Sequence, residues 1–110
     1  MDPGPAKAYL VNLGIAPSRV SLVLPADSQS FPRAYGATFQ WRAVARATAY
    51  EWELQVQARD ETWTTVTTEI VQGTRHRPKR MMRGRFRWRV RAIREETHGE
   101  WSAFYRLYMY

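Results

Sequence analysis

The chain has 110 residues, 17 Lys and Arg against 10 Asp and Glu, and no cysteine. This length fits one domain with one core, and 45% apolar with 14% aromatic residues is too rich for a disordered chain. No apolar run nears the roughly 20 residues of a membrane span, and the absent cysteines exclude a disulfide framework and a thiolate metal site.

Residues 1–18 read as an extended arm. Asp2-Pro3-Gly4-Pro5 fits neither a helix nor a central strand. Tyr9, Leu10, Val11, Leu13 and Ile15 follow, broken by Asn12 and Gly14, and Pro17 closes the stretch without a helical period. Two readings stand: a frayed terminus or strand on the domain edge, or a hydrophobic arm that docks on a partner. Tyr9, Leu10, Val11 and Leu13 are the candidate contacts, because apolar residues at a terminus are unfavourable in water until something covers them. No basic segment followed by an apolar one marks a cleavable signal.

From residue 19 onward the apolar period is two. Val20, Leu22 and Leu24 alternate up to Pro25. Phe39, Trp41 and Ala43 form a second run, and Tyr50, Trp52, Leu54 and Val56 a third. Thr62–Val71, rich in Thr and Val, reads as one or two further strands. Phe86, Trp88, Val90 and Ala92 alternate with Arg85, Arg87, Arg89 and Arg91; Tyr105, Leu107 and Met109 close the series. Turn signals fall at Pro25–Pro32, Arg59-Asp60-Glu61, Gly73, Arg83-Gly84 and His98-Gly99. The pattern predicts an all-β fold: a seven-stranded antiparallel β-sandwich over residues 19–110, preceded by the arm. The final strand leaves an edge that another chain could cover.

Charge is concentrated. Residues 75–94 hold Arg75, Arg77, Lys79, Arg80, Arg83, Arg85, Arg87, Arg89, Arg91 and Arg94 and no acid; the rest of the chain carries seven bases and 10 acids. Such a band attracts phosphate, anionic lipid or an acidic protein face. Its arginines offer planar forks and stack on rings.

Four motifs now carry a resemblance: Phe39-x-Trp41, Ala47-x-x-Tyr50-x-Trp52-x-Leu54-x-Val56, Met81-x-x-Gly84-x-Phe86-x-Trp88-Arg89-Val90-Arg91-Ala92, and Gly99-x-Trp101-Ser102. In this order and spacing they resemble the second, third, sixth and start of the seventh strands of a fibronectin type III domain. Two departures stand out. Phe86 occupies the place of the family's usual corner tyrosine and cannot donate its hydrogen bond. Met81 or Met82 replaces the usual leucine before it. The resemblance implies a spacer or protein-binding module, not an enzyme, and an extracellular or cell-envelope setting.

The residues themselves show no catalytic set: no G-x-G-x-x-G, G-x-x-x-x-G-K-[ST], G-x-S-x-G or H-E-x-x-H. His76 and His98 fall in predicted loops, and Glu95, Glu96 and Glu100 match no calcium-loop spacing. No cofactor or metal is expected. Glu51 and Glu53, on one strand face, are read as partners of arginines.

In the resembled topology the third, sixth and seventh strands share a sheet. Its outer face would carry Glu51, Glu53, Gln55 and Gln57 on one flank, Arg85, Arg87, Arg89 and Arg91 centrally, and Phe104, Arg106, Tyr108 and Tyr110 on the other. Either arginines, glutamates and rings satisfy one another in a solvated ladder, as in receptors of this family with a Trp-Ser motif like Trp101-Ser102, or the face docks a protein partner. The favoured reading is a protein-interaction or structural subunit of a larger assembly. The alternative is a nucleic-acid-binding or anionic-surface module, on lipid head groups or polysaccharide, using the band 75–94.

Overall fold

Strict alternation of apolar and polar residues builds two sheets with one dry face each. The structure, a computed structural model, describes residues 16–110. Nine strands stand among them: β1 (Leu22–Leu24), β2 (Gln29–Phe31), β3 (Phe39–Trp41), β4 (Ala49–Gln57), β5 (Trp63–Val71), β6 (Arg75–His76), β7 (Gly84–Arg94), β8 (Thr97–His98) and β9 (Tyr105–Met109). One sheet runs β1-β3-β6; the other runs β2-β9-β7-β4-β5, with β8 on β7. The arm residues Tyr9, Leu10, Val11 and Leu13 lie outside the described residues.

The all-β sandwich stands, but the strand count and the wholly antiparallel pairing are corrected. Pro25 and Pro32 bracket what reads as a turn, yet β2 lies between them and pairs in parallel with β9, Gln29 opposite Leu107 and Phe31 opposite Met109. The backbone bonds run on at both ends. Ser28 N–H donates to Arg106 C=O at 2.7 Å, Tyr110 N–H to Phe31 C=O at 2.9 Å, and Arg33 N–H to Tyr110 C=O at 2.8 Å. The edge of the last strand is thus closed by the chain itself. The other two additions are the two-residue strands β6 and β8, too short for a periodic signal. Thr62–Val71 forms the single strand β5, bulged where Val66 falls between the pairs Leu54–Thr67 and Gln55–Thr65. β3 ends at Trp41, and Ala43 is exposed.

The core lies where the inward residues of both sheets meet. Phe39 of β3 sits between Trp52 of β4 and Trp88 of β7, with ring centroids 5.0 and 4.9 Å away in edge-to-face geometry. Trp41 meets Tyr50 edge-on at 5.7 Å. Val90, Ala92, Leu107 and Met109 complete the buried layer. Phe86 is buried where the corner tyrosine would stand, and of the two methionines Met81 is in the core while Met82 is exposed. Another hydroxyl pins a turn instead: Tyr50 Oη accepts the Val44 N–H at 2.9 Å.

At the top of the sandwich the chain enters beside the turn after β8. Pro17 is buried there, and a Cβ placed on Gly99 would stand 2.5 Å from the Pro17 carbonyl oxygen. Gly99→Ala is expected to cost about 1–3 kcal/mol by forcing backbone apart. Urea unfolding checks this: the midpoint falls and the slope stays. An unchanged midpoint would mean that Pro17 is not held against Gly99.

Candidate functional site

β4, β7 and β9 lie side by side with β7 central, so the period of two places the expected residues on one outer face. Register fixes their neighbours: Glu51 faces Arg91, Glu53 faces Arg89 and Gln55 faces Arg87, while Arg87 faces Arg106 and Arg85 faces Tyr108.

At the Trp101 end every arginine is satisfied twice. Arg91 binds Glu51 Oε1 at 2.7 Å and lies 4.5 Å from the Trp101 ring. Arg89 Nε donates to Glu53 Oε1 at 2.5 Å, and its guanidinium packs between the rings of Trp101 at 4.2 Å and Phe104 at 4.7 Å. Glu53, only 7% exposed, also accepts the Thr65 hydroxyl at 3.1 Å. Arg87 Nε donates to the neutral Gln55 Oε1 at 2.6 Å and lies between Phe104 at 4.0 Å and Trp63 at 4.5 Å. Cations and rings thus alternate: Arg91, Trp101, Arg89, Phe104, Arg87, Trp63. Each contact of this kind contributes about 0.5–1 kcal/mol at an exposed site.

Ser102 anchors the Trp101 end. Its hydroxyl accepts the Val90 N–H at 3.0 Å and donates to Ala103 C=O at 2.9 Å, while its own N–H donates to Val90 C=O. That extends the grip on β7 beyond the last pair formed by β9 and holds Trp101 above Arg89 and Arg91.

The other end of the face is different. Arg85 and Arg106 are exposed, and among the described residues neither is in an ion pair. Arg85 lies 5.7 Å from the Tyr108 ring, and Arg106 6.0 Å from that of Trp63. Tyr108 and Tyr110 are 45% and 54% exposed, with ring centroids 6.0 Å apart. Burial first, and then the neighbouring cations Arg89 and Arg106, hold the Arg87 guanidinium below its usual pKa. Positive charge is therefore in excess at this end.

All eight expected residues of the domain fall on this face; Arg87, Arg89, Arg91 and Phe104 are in the stack, and Arg85, Arg106, Tyr108 and Tyr110 at the open end. Sequence reasoning missed Trp63 as a member. The available signal was the turn: Ala58 N–H donates to Thr62 C=O, and Asp60 Oδ1 accepts from both the N–H and the hydroxyl of Thr62. The bonds from the Thr62 hydroxyl and N–H hold the Asp60 carboxyl below its ordinary pKa, and the closed turn sets Trp63 opposite Gln57.

The basic band 75–94 does not form one surface. Arg75 pairs with Gln40 in the opposite sheet. Arg77 donates to Tyr35 C=O at 2.6 Å and to Thr38 Oγ1 at 2.9 Å. His76 stands 3.6 Å from Glu69 and 4.5 Å, ring to ring, from Trp52. Among the described residues, no three His, Asp or Glu side chains are grouped to hold an ion, and no helix is long and apolar enough to cross a membrane.

No family model matches the chain, and no curated protein matches it. The chain is similar to the crystal structure of a Fn3-like protein from Clostridium thermocellum, at 16% identity and a TM-score of 0.55, over 87% of this chain and 93% of that one. A structure described as that of FN3tt mut aligns at 14% identity and a TM-score of 0.47, over 84% of this chain and 93% of the other. With the two-layer topology, the buried Phe39 and Trp41 of β3, and Trp101-Ser102 at the end of the stack, the chain has a fibronectin type III-like fold.

Proposed function

We propose that the chain is a non-catalytic protein-interaction or structural subunit of a larger assembly. It docks through the open end of the Arg/aromatic face, and the apolar segment Tyr9, Leu10, Val11 and Leu13 supplies a second contact. One observation carries this reading: the face is divided. Arg87, Arg89 and Arg91 are held between rings and acceptors, which makes that half a rigid platform. Arg85, Arg106, Tyr108 and Tyr110 stand free of carboxylate partners among the described residues and exposed beside it. Tyr and Arg are the residue types that most often dominate binding energy when covered.

The dispersal of the band over both sheets weighs against the nucleic-acid and anionic-surface alternative, because tracking a polyanion needs a continuous cationic stripe.

The test is the mass of the native assembly at low and high salt, for the wild-type chain and for Tyr108→Ala/Tyr110→Ala. The expected result is a particle well above the 12.9 kDa of the chain that survives high salt and is lost in the double variant. A free monomer at both salts would end this reading; a particle that dissolves only as salt rises would move the weight to charge alone.

A further inference from the structure

The open end of the face is hollow. A cleft of about 230 Å³ opens over the Phe86 and Leu107 positions of β7 and β9, whose side chains turn into the core, and is lined by Trp63, Arg85, Arg106 and Tyr108. It adjoins a second hollow of about 640 Å³ that reaches Arg59 beside the β4–β5 turn. Gln57, Arg85, Arg106 and Tyr108 line both, so the two form one trough.

Its charge is unbalanced. Both carboxylates that β4 gives to this face, Glu51 and Glu53, are spent on Arg91 and Arg89 at the far end. Arg87 and Arg106 are direct cross-strand partners, and Arg85, opposite Tyr108, stands one diagonal step away. Like charges so placed repel across an antiparallel pair. Two acids are near. Asp27 Oδ1 accepts the backbone N–H of Arg106 at 2.8 Å, and Glu61 lies on the rim of the larger hollow. Among the described residues neither forms an ion pair with Arg59, Arg85 or Arg106.

We propose that this trough receives an acidic peptide segment of a protein partner, with side-chain carboxylates on Arg85 and Arg106 and its apolar atoms against Trp63 and Tyr108. This rests on the reading of the chain as an interaction module and names the chemistry of the partner. The sheet already contains the arrangement: Glu53 and Glu51 each meet an arginine that lies on a ring, and an incoming segment repeats that contact where the chain's own carboxylates stop. A guanidinium fork matches a carboxylate in two parallel hydrogen bonds. The Trp63 and Tyr108 rings favour a carboxylate carried on an aliphatic stem over a bare anion, and two joined hollows suit consecutive outward side chains of an extended strand.

The experiment is a titration of the full chain, followed by backbone amide shifts. The probe is a blocked octapeptide of alternating glutamate and leucine; its glutamine counterpart, inorganic phosphate and a single-stranded oligonucleotide are run beside it. The expected shifts concentrate on Ser28, Gln57, Arg85, Arg106 and Tyr108, and the affinity falls with salt. Arg85→Glu/Arg106→Glu loses roughly tenfold or more in affinity. Arg42→Glu/Arg75→Glu, on the opposite sheet and with the same change of net charge, stays within about twofold. If the first variant does not fold, Arg85→Gln/Arg106→Gln carries the comparison. No binding of the glutamate peptide, equal loss in both charge-reversed variants, or saturation by phosphate or oligonucleotide at lower concentration than by peptide would each overturn the proposal. A native assembly that persists while the peptide fails to bind removes the acidic partner and leaves the interaction module.

Discussion

Phe39→Ala is expected to lower stability by about 3–5 kcal/mol, the range for removing a large ring from a packed core. Phe39 is fully buried and presents edges to Trp52 and Trp88 at 5.0 and 4.9 Å. Alanine there removes both aromatic contacts and leaves a cavity between two indoles that sit on the facing sheet. Domains of this size have about 5–15 kcal/mol in all, so this single change brings the fold close to its limit. Chemical unfolding of the variant against Tyr35→Ala checks it. Tyr35 is 73% exposed and its removal should cost under about 0.5 kcal/mol. A loss at Phe39 below about 1 kcal/mol would mean that the sheets do not meet through this ring.

Arg89→Ala is the second large effect, expected at about 2–3 kcal/mol. Losing one partner of a buried pair costs about 3–5 kcal/mol, and we reduce that because the Arg89 side chain is 26% exposed. The loss has two sources. Glu53 keeps only the Thr65 hydroxyl for an almost buried carboxylate, and the rings of Trp101 and Phe104 lose the cation between them. Adding Glu53→Leu should recover about half of the loss, because an apolar pair carries no stranded charge. Were Arg89→Ala alone within about 0.5 kcal/mol of wild type, the stack would be a solvated surface feature with no structural weight.

Both effects trace back to what the sequence shows and what it hides. The alternation Tyr50, Trp52, Leu54, Val56 against Glu51, Glu53, Gln55 survives into β4 almost residue for residue, because each inward ring has only one dry side to go to. The same logic places the four β7 arginines on one face. It does not say how far each is compensated. That depends on pairings between strands far apart in sequence, such as Glu53 with Arg89 and Arg87 with Arg106. The ten cations of residues 75–94 look like one band along the chain, but a turn and a change of sheet separate Arg75 and Arg77 from Arg85–Arg91. β2 was hidden for another reason. Three residues between prolines have no period, and their pairing is decided by the edge of β9. Trp63 was missed because the strand period does not place it: the span of the five-residue Ala58–Thr62 turn sets it over Arg87.

The parallel pairing of β2 with β9 also governs how the domain responds to pulling. A tension that draws the chain before Gln29 one way and Tyr110 the other slides the two strands along each other. The bonds from Ser28 to Arg106, Tyr110 to Phe31 and Arg33 to Tyr110 then lie across the direction of force and must break together. An antiparallel hairpin pulled from its open end parts one bond at a time. The sheet edge that shields β9 from other chains is therefore also a shear clamp, and it gives the domain mechanical resistance along the line joining these two points.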